Sequence, residues 1–117
     1  VLDSVHVNGK LTLGENIGDL GGLNVAYEAF KMTKQGKGKK KINGFTPDQR
    51  FFLSWAQVWR GNILPEEAAQ RILTDPHSPG PYRTIGPLVN MDAWYNAFNV
   101  TPGNNLYVKP ENRIRIW

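Results

Sequence analysis

One stretch of the chain decides most about its fold and chemistry: residues 15–23, which read ENIGDLGGL. It places two carboxylates, Glu15 and Asp19, four residues apart, and this spacing puts both on one face of a helix. If Glu15 binds a metal ion, Asp19 can accept the free ring N–H of a metal-bound histidine and so orient that ligand. The same pair also fits a solvated first helical turn, where the helix dipole favours acids. The spacing alone therefore does not define a site.

The pattern around this stretch predicts an amphipathic helix over residues 15–33. Apolar residues recur there at steps of three and four: Leu20, Leu23, Tyr27 and Phe30. A neighbouring strip on the same helix combines the two acids with small residues: Glu15, Asp19, Gly22 and Ala26. Small residues allow a second helix to approach closely, so we expect an exposed apolar strip at which a metal-binding helix from elsewhere docks.

Length and composition indicate one small globular domain. The chain has 117 residues, of which 40% are hydrophobic and 21% charged. No apolar run approaches the roughly 20 residues of a membrane span, and no signal peptide is recognisable. The chain contains no cysteine, which excludes a disulfide scaffold and a thiolate zinc site. Because it opens on Val1 without an initiator methionine, we expect it to be a piece of a longer protein.

The positive charge is concentrated in one segment. The formal net charge is +4, and six lysines between Lys31 and Lys41 follow one another without an intervening acid. With its glycines and lack of apolar periodicity, the segment 31–45 is predicted to be a flexible, solvated loop. A nucleic-acid interface at these lysines is an alternative, and it requires a steep dependence of affinity on salt.

Three more helices are predicted. Thr46-Pro47-Asp48-Gln49 forms a capping box that opens a helix to Arg60, and its apolar residues wrap around it so far that we expect it to be mostly buried. Pro65 opens a helix through Leu73, and residues 90–98 form a short one. The proline-rich residues 77–87 are predicted to be a rigid loop, residues 1–12 a hairpin or extended lead-in, and residues 101–117 a loop with a strand-like end.

Two further motifs add a specific resemblance. Residues 74–83 read TDPHSPGPYR and residues 112–117 read NRIRIW. Together with residues 15–23, they resemble the neprilysin-like zinc endopeptidases over nearly the whole chain. The resemblance implies a mainly α fold, the helical C-terminal part of a thermolysin-like zinc peptidase catalytic domain, with long loops and little strand. Residues 1–117 would form one fragment of that domain.

The resemblance also implies roles for individual residues. Glu15 matches the glutamate that binds zinc beside two histidines of a His-Glu-x-x-His helix, and Asp19 matches the acid that orients one of those histidines. His77 matches the histidine that donates to the oxyanion of the tetrahedral intermediate, with Asp75 placed to fix its tautomer. Arg83 matches the arginine that binds a substrate carbonyl. Considered alone, His77 would more often be a surface histidine, and Arg83 would more often form a surface salt bridge.

One departure from the family pattern limits the activity of this chain. Its only histidines are His6 and His77, so the His-Glu-x-x-His motif is absent, and the chain alone is expected to be inactive. Zn²⁺ is the implied cofactor, absent from or weakly bound to this fragment. The implied partners are an oligopeptide substrate and the upstream part of the same catalytic domain, with no nucleic acid and no membrane contact.

Two further expectations complete the interpretation. Animal members of the family carry disulfides, so the lack of cysteine points to a bacterial source. We also expect a periplasmic or other extracytoplasmic location. The alternative function is a non-catalytic helical interaction module that keeps the scaffold and binds a partner through its exposed apolar faces.

Overall fold

The computed structural model describes residues 5–116 and consists mainly of α-helix. In chain order the helices are α1 (Gly9–Met32), α2 (Lys34–Lys37), α3 (Pro47–Val58), α4 (Pro65–Thr74), α5 (Gly80–Leu88) and α6 (Asp92–Phe98), followed by a 3₁₀ turn at Pro110–Asn112. Over the described residues there is no extended strand, and an isolated antiparallel bridge joins Ile42 to Phe45. The predicted mainly α fold with little strand is confirmed.

The first helix begins earlier than the sequence pattern suggests. Asn8 is its N-cap, and the Asn8 side chain accepts hydrogen bonds from the backbone N–H groups of Lys10 (3.1 Å) and Leu11 (3.2 Å). The predicted hairpin is therefore wrong from Gly9 onward, and residues 1–4 lie outside the described part. Asn-Gly is a turn signal, but asparagine is also among the strongest N-caps. Here Asn8 acts as an N-cap.

The capping box of α3 is confirmed. The Thr46 hydroxyl accepts from the Gln49 backbone N–H at 3.2 Å, and the Gln49 side chain accepts from the Thr46 backbone N–H at 2.9 Å. The prediction that this helix is mostly buried is wrong for the described residues, because Phe52 is buried while Leu53 and Val58 remain exposed. The apolar residues of α3 are covered on one side only.

The proline-rich segment 77–87 is a loop only in its first part. From Gly80 it forms α5, because Pro81 lies in the first turn, where its missing N–H would have no intrahelical partner anyway. The helices predicted from Pro65 and up to Phe98 are confirmed. The strand-like end is wrong for residues 101–116, which contain the 3₁₀ turn, and Trp117 lies outside the described residues.

The lysine-rich segment 31–45 contains local structure. Thr33 caps the single turn of α2 by accepting from the Gly36 backbone N–H at 3.0 Å. Asn43 and Gly44 both have positive φ angles, +50° and +83°, as a two-residue turn between bridged residues requires. The flexibility of this segment stays a prediction.

A small aromatic core holds the helices together. Its buried members come from α1, α3, α5, the α5–α6 connection and α6: Leu20, Leu23, Phe52, Leu88, Met91, Trp94 and Tyr95. Phe52 is 1% exposed, and its ring lies 5.4 Å from that of Tyr27 and 5.3 Å from that of Phe51. The core therefore fixes α1 against α3 and α5, which is what places the candidate site.

Replacing Phe52 with leucine is expected to lower the free energy of unfolding of this chain by about 1–2 kcal/mol, because buried volume and the aromatic contacts with Tyr27, Phe51 and Phe98 are lost. Urea or thermal unfolding measures the change. Leu53→Ala on the same helix is the control, since Leu53 is exposed, and its effect is expected to be clearly smaller. Equal losses for the two variants would contradict the assigned core.

Among the described residues, no helix combines the length and the apolar character that crossing a bilayer requires.

Candidate active site

The candidate residues meet where the N-terminal half of α1 faces the segment 75–83. That segment contains the α4–α5 connection and the first turn of α5. Three side-chain pairs cross between the two elements: Glu15 with His77, Asn16 with Ser78, and Asp19 with Arg83. The structure thus brings together all five residues that the sequence singles out, since Asp75 contacts His77 as well.

His77 lies between two carboxylates. Its Nδ1 is 2.7 Å from Asp75 Oδ1, and its Nε2 is 3.1 Å from Glu15 Oε2. The contact with Asp75 is a hydrogen bond, and it holds the ring so that its other nitrogen faces Glu15.

Asp75 contacts both the backbone N–H and the ring of His77. The His77 backbone N–H donates to Asp75 Oδ1 at 2.9 Å. This bond, followed by that of the ring, holds the pKa of the Asp75 carboxyl below its ordinary value. Asp75 therefore stays ionised at neutral pH and continues to accept from the ring of His77. The contact between Asp75 and His77 that the sequence predicts is present. The catalytic role of His77 stays a prediction.

Arg83 and Asp19 form a parallel, two-bond ion pair. Arg83 Nε donates to Asp19 Oδ2 and Nη2 to Oδ1, each at 2.7 Å. The two side chains are 15% and 11% exposed, and the guanidinium carbon lies 4.1 Å from the centre of the Trp59 ring. The bonds to Asp19 are the main cause that raises the pKa of Arg83. Arg83 is thus a fixed cation with a defined orientation.

This pair modifies the expected geometry of the two acids. Glu15 and Asp19 lie on the same side of α1, as predicted, because both contact the segment 75–83. However, Asp19 does not face an open groove, since both of its oxygens already accept from Arg83. Each carboxylate oxygen has two acceptor positions, so Asp19 keeps the capacity to accept a further N–H.

Four residues at this site were not singled out from the sequence. Asn16, Ser78 and Thr12 form a hydrogen-bonded chain beside Glu15 and His77, and Trp59 stacks on Arg83. A signal for Asn16 and Thr12 was available, because they are four residues apart and so lie on one face of the helix. For Trp59 the sequence offered only an aromatic array, which is typical of core packing.

The donor chemistry of Glu15 fits one position of a zinc site. A carboxylate is one of the ligands that zinc accepts, and the Glu15 side chain is 47% exposed. Within residues 5–116, no group of three or more histidine, cysteine, aspartate or glutamate side chains could hold a metal ion. Glu15 therefore fits as one member of a larger ligand set and not as a complete site.

The strip beside the two acids is uncovered, as the sequence predicts. Gly22 and Ala26 are exposed, and a Cβ added at Gly22 would meet no atom within 4 Å. Ile17 and Val25 on the same helix are exposed as well. Among the described residues, nothing packs on this strip, so it can receive another segment.

The Arg83–Asp19 pair leads to a stability prediction. Arg83→Lys keeps the charge but loses the planar two-bond fork and the stacking on Trp59, so it is expected to cost about 1–2 kcal/mol in the unfolding of this chain. Arg71→Lys is the matched control, because Arg71 also donates twice to an acid, Glu67, yet the two side chains are 59% and 53% exposed. Exposed pairs contribute about 0–1 kcal/mol. Denaturant unfolding measures the loss of stability in both variants. A larger loss in Arg71→Lys than in Arg83→Lys would contradict the structural role of Arg83.

Comparison with known proteins places this arrangement among the metallopeptidases. The family model described as Peptidase family M13 matches residues 1–114. The chain belongs to this family. The resemblance to the neprilysin-like zinc endopeptidases is thereby confirmed.

Individual relatives agree with this membership. The chain is 44% identical to human neprilysin over 115 residues, covering 96% of the chain and 15% of that protein. It is 42% identical to neprilysin-2 of Caenorhabditis elegans over 122 residues, covering 100% of the chain and 16% of that protein. The chain thus spans about one sixth of the length of these curated relatives.

A solved structure supports the same fold. The zinc metalloprotease Zmp1 of Mycobacterium tuberculosis, in its open state, superposes with a TM-score of 0.92 at 44% identity, over 99% of this chain and 18% of Zmp1. The expected fold class, the helical part of a thermolysin-like zinc peptidase, is confirmed by this match.

Proposed function

We propose that the chain is the C-terminal part of the catalytic domain of a zinc endopeptidase that hydrolyses peptide bonds in oligopeptides. The observation that carries the proposal is the convergence of Glu15, His77 and Arg83 on one side of α1. A carboxylate ligand, a histidine donor and a fixed cation are what such a reaction needs at the metal, the oxyanion and the substrate backbone.

In this proposal Glu15 holds the zinc ion together with two histidines from a part of the protein outside this chain. Bound at such a site, zinc lowers the pKa of a coordinated water toward about 7 and polarises the scissile carbonyl. Asp19 accepts the ring N–H of one zinc histidine while it also holds Arg83. The buried carboxylate thus orients two groups at once.

His77 is proposed to donate a ring N–H to the oxyanion of the tetrahedral intermediate, with Asp75 fixing the orientation of the ring. The contact of His77 Nδ1 with Asp75 Oδ1 at 2.7 Å supports this role, because it holds the ring at one nitrogen and leaves Nε2 on the side of Glu15. Such a contact is stronger in the transition state than in the ground state, because the negative charge develops only there.

Arg83 is proposed to bind a substrate carbonyl beyond the scissile bond. Its guanidinium has five N–H donors, and the bonds to Asp19 use two of them. The remaining donors are available to a peptide, while Asp19 and Trp59 prevent the side chain from turning away.

The whole-protein setting is part of the same proposal. The chain alone is inactive, because the two histidine ligands and the general base lie elsewhere. Its partners are an oligopeptide substrate and the rest of the catalytic domain, and neither nucleic acid nor a membrane surface has a part in the reaction. The absence of cysteine and the likeness to a mycobacterial protein support a bacterial origin, to which we add a periplasmic or other extracytoplasmic location.

Metal removal and restoration in the full-length protein test the function. An internally quenched oligopeptide is expected to be cleaved by the full-length protein, not after treatment with a chelator, and again after one equivalent of zinc is restored. The chain of 117 residues alone is expected to remain inactive with zinc. Stoichiometric zinc without hydrolysis of any oligopeptide would favour the interaction module, for which the exposed strip on α1 provides a surface.

A further inference from the structure

We propose that Asn16, supported by Thr12 and Ser78, is a positioning residue that sets where His77 stands relative to Glu15. The inference rests on the proposed function, because His77 and Glu15 have their roles only in a zinc peptidase. It adds to that function that three neutral side chains, which take no part in the chemistry, set the position of the His77 ring as a donor.

The central contact joins the immediate neighbours of the two functional residues. Ser78 Oγ donates to Asn16 Oδ1 at 2.8 Å. Asn16 follows Glu15 directly on α1, and Ser78 follows His77 directly in the segment 75–83. This hydrogen bond thus joins the residue after Glu15 to the residue after His77. It therefore couples the position of the His77 backbone to the position of Glu15.

The orientation of the Asn16 amide is fixed by the helix itself. The Thr12 hydroxyl donates to the Asn8 carbonyl oxygen at 3.2 Å, so its oxygen can only accept from Asn16. Asn16 Nδ2 donates to Thr12 Oγ1 at 3.3 Å. The amide must therefore present its oxygen to Ser78, and an aspartate at this position could accept from Ser78 but could not donate to Thr12.

Burial makes these bonds more constraining than the direct contacts of His77. Within residues 5–116, the buried polar side chains are Thr12 (3% exposed) and Ser78 (7%), and both belong to this hydrogen-bonded chain. The His77–Glu15 contact, by contrast, joins two half-exposed side chains, and water competes for such contacts. Asn16 itself is exposed, but loss of its amide oxygen leaves the buried Ser78 hydroxyl without this acceptor, so the segment has one favoured position.

Asn16→Leu in the full-length protein tests the inference. It removes both bonds at similar volume, and it is expected to lower kcat about 10- to 100-fold, since a displacement of about 1 Å at a reacting group can cost that much. KM is expected to stay within about twofold and bound zinc to be unchanged. Asn24→Leu is the matched control, because Asn24 lies on the same helix and its side chain, among the described residues, bonds to the Leu20 carbonyl of that helix alone.

A second pair of variants guards against misfolding. Thr12→Val removes one hydroxyl at nearly constant volume and is expected to reproduce part of the loss in kcat. Thr12→Ser keeps the hydroxyl and is expected to have the kcat of the wild type. An equal loss of kcat in the two variants would overturn the inference.

Two peptide inhibitors distinguish positioning from general damage. A phosphinic peptide mimics the tetrahedral intermediate, and its inhibition constant is expected to rise in step with the loss in kcat. A peptide hydroxamate, which chelates the metal without that tetrahedral centre, is expected to bind Asn16→Leu as it binds the wild type. Equal weakening of both inhibitors, loss of zinc, or kinetics like those of Asn24→Leu would overturn the inference.

Crystal structures of the full-length wild type and Asn16→Leu give a readout independent of activity. The segment 75–78 is expected to move away from α1 in the variant, and an unmoved segment would overturn the inference. An inactive wild type with stoichiometric zinc would instead contradict the proposed function, so the two failures are distinguishable.

Discussion

Replacing Glu15 with glutamine in the full-length protein is expected to remove bound zinc and peptidase activity together, with kcat/KM reduced at least about 10³-fold. The amide has nearly the same shape but no charge, and it is a poor ligand for zinc. The several kcal/mol that the metal contributes to the reaction are then lost. The amide oxygen can still accept from His77, so the variant changes the ligand without removing the contact between α1 and the segment 75–83.

The measurements are metal content by mass spectrometry and hydrolysis of a quenched peptide. Glu28→Gln is the matched control, because Glu28 is an exposed glutamate on the same helix, and it is expected to retain both zinc and activity. A Glu15→Gln protein that keeps stoichiometric zinc would remove Glu15 from the ligand set and would leave the proposed metal site without support from this chain.

Replacing His77 with alanine is expected to give the opposite pattern: full zinc content and a kcat about 100-fold lower. The reason is that a donor to the developing oxyanion stabilises the transition state by about 3 kcal/mol without holding the metal. KM is expected to change little, because the contact is weak before the charge develops. Alanine also releases Asp75 and Glu15 from their contacts with the ring.

His6→Ala is the control for His77→Ala, since His6 is the other histidine of the chain and is exposed. It is expected to keep both the zinc and the rate of the wild type. Loss of zinc in His77→Ala would exchange the proposed roles of Glu15 and His77, particularly if Glu15→Gln kept its metal. Two unchanged variants would favour the interaction module.

The helices were predictable where the signal is local. The capping box at Thr46 and the proline at position 65 marked the starts of α3 and α4, because caps act within one turn of the chain. The start of α1 and the existence of α5 were missed. At Asn8 a turn signal and a helix-cap signal coincide. In the segment 77–87 the positions of the prolines within the helix, and not their number, determine that α5 forms.

Burial was less predictable than helix type. The apolar residues of α3 suggested a helix that is covered on most sides, but Leu53 and Val58 are exposed in this chain. The sequence pattern reports which residues are apolar and says nothing about which segment covers them. A chain that spans about 15% of its relatives contains only part of those covering segments.

Local patterns in the chain were enough to predict the helical class, the two acids on one face of α1, and the chemistry of the side chains at positions 75, 77 and 83. Helical periodicity and side-chain chemistry are local properties, so the order of residues is sufficient for them. The contact of Asp19 with Arg83, the position of His77 between Asp75 and Glu15, and the bond of Asn16 to Ser78 depend on how the helices pack. Three of these contacts, Asp19 with Arg83, Glu15 with His77 and Asn16 with Ser78, join residues more than 60 positions apart. They exist because the aromatic core packs α1 against α5, a geometry that no local pattern contains.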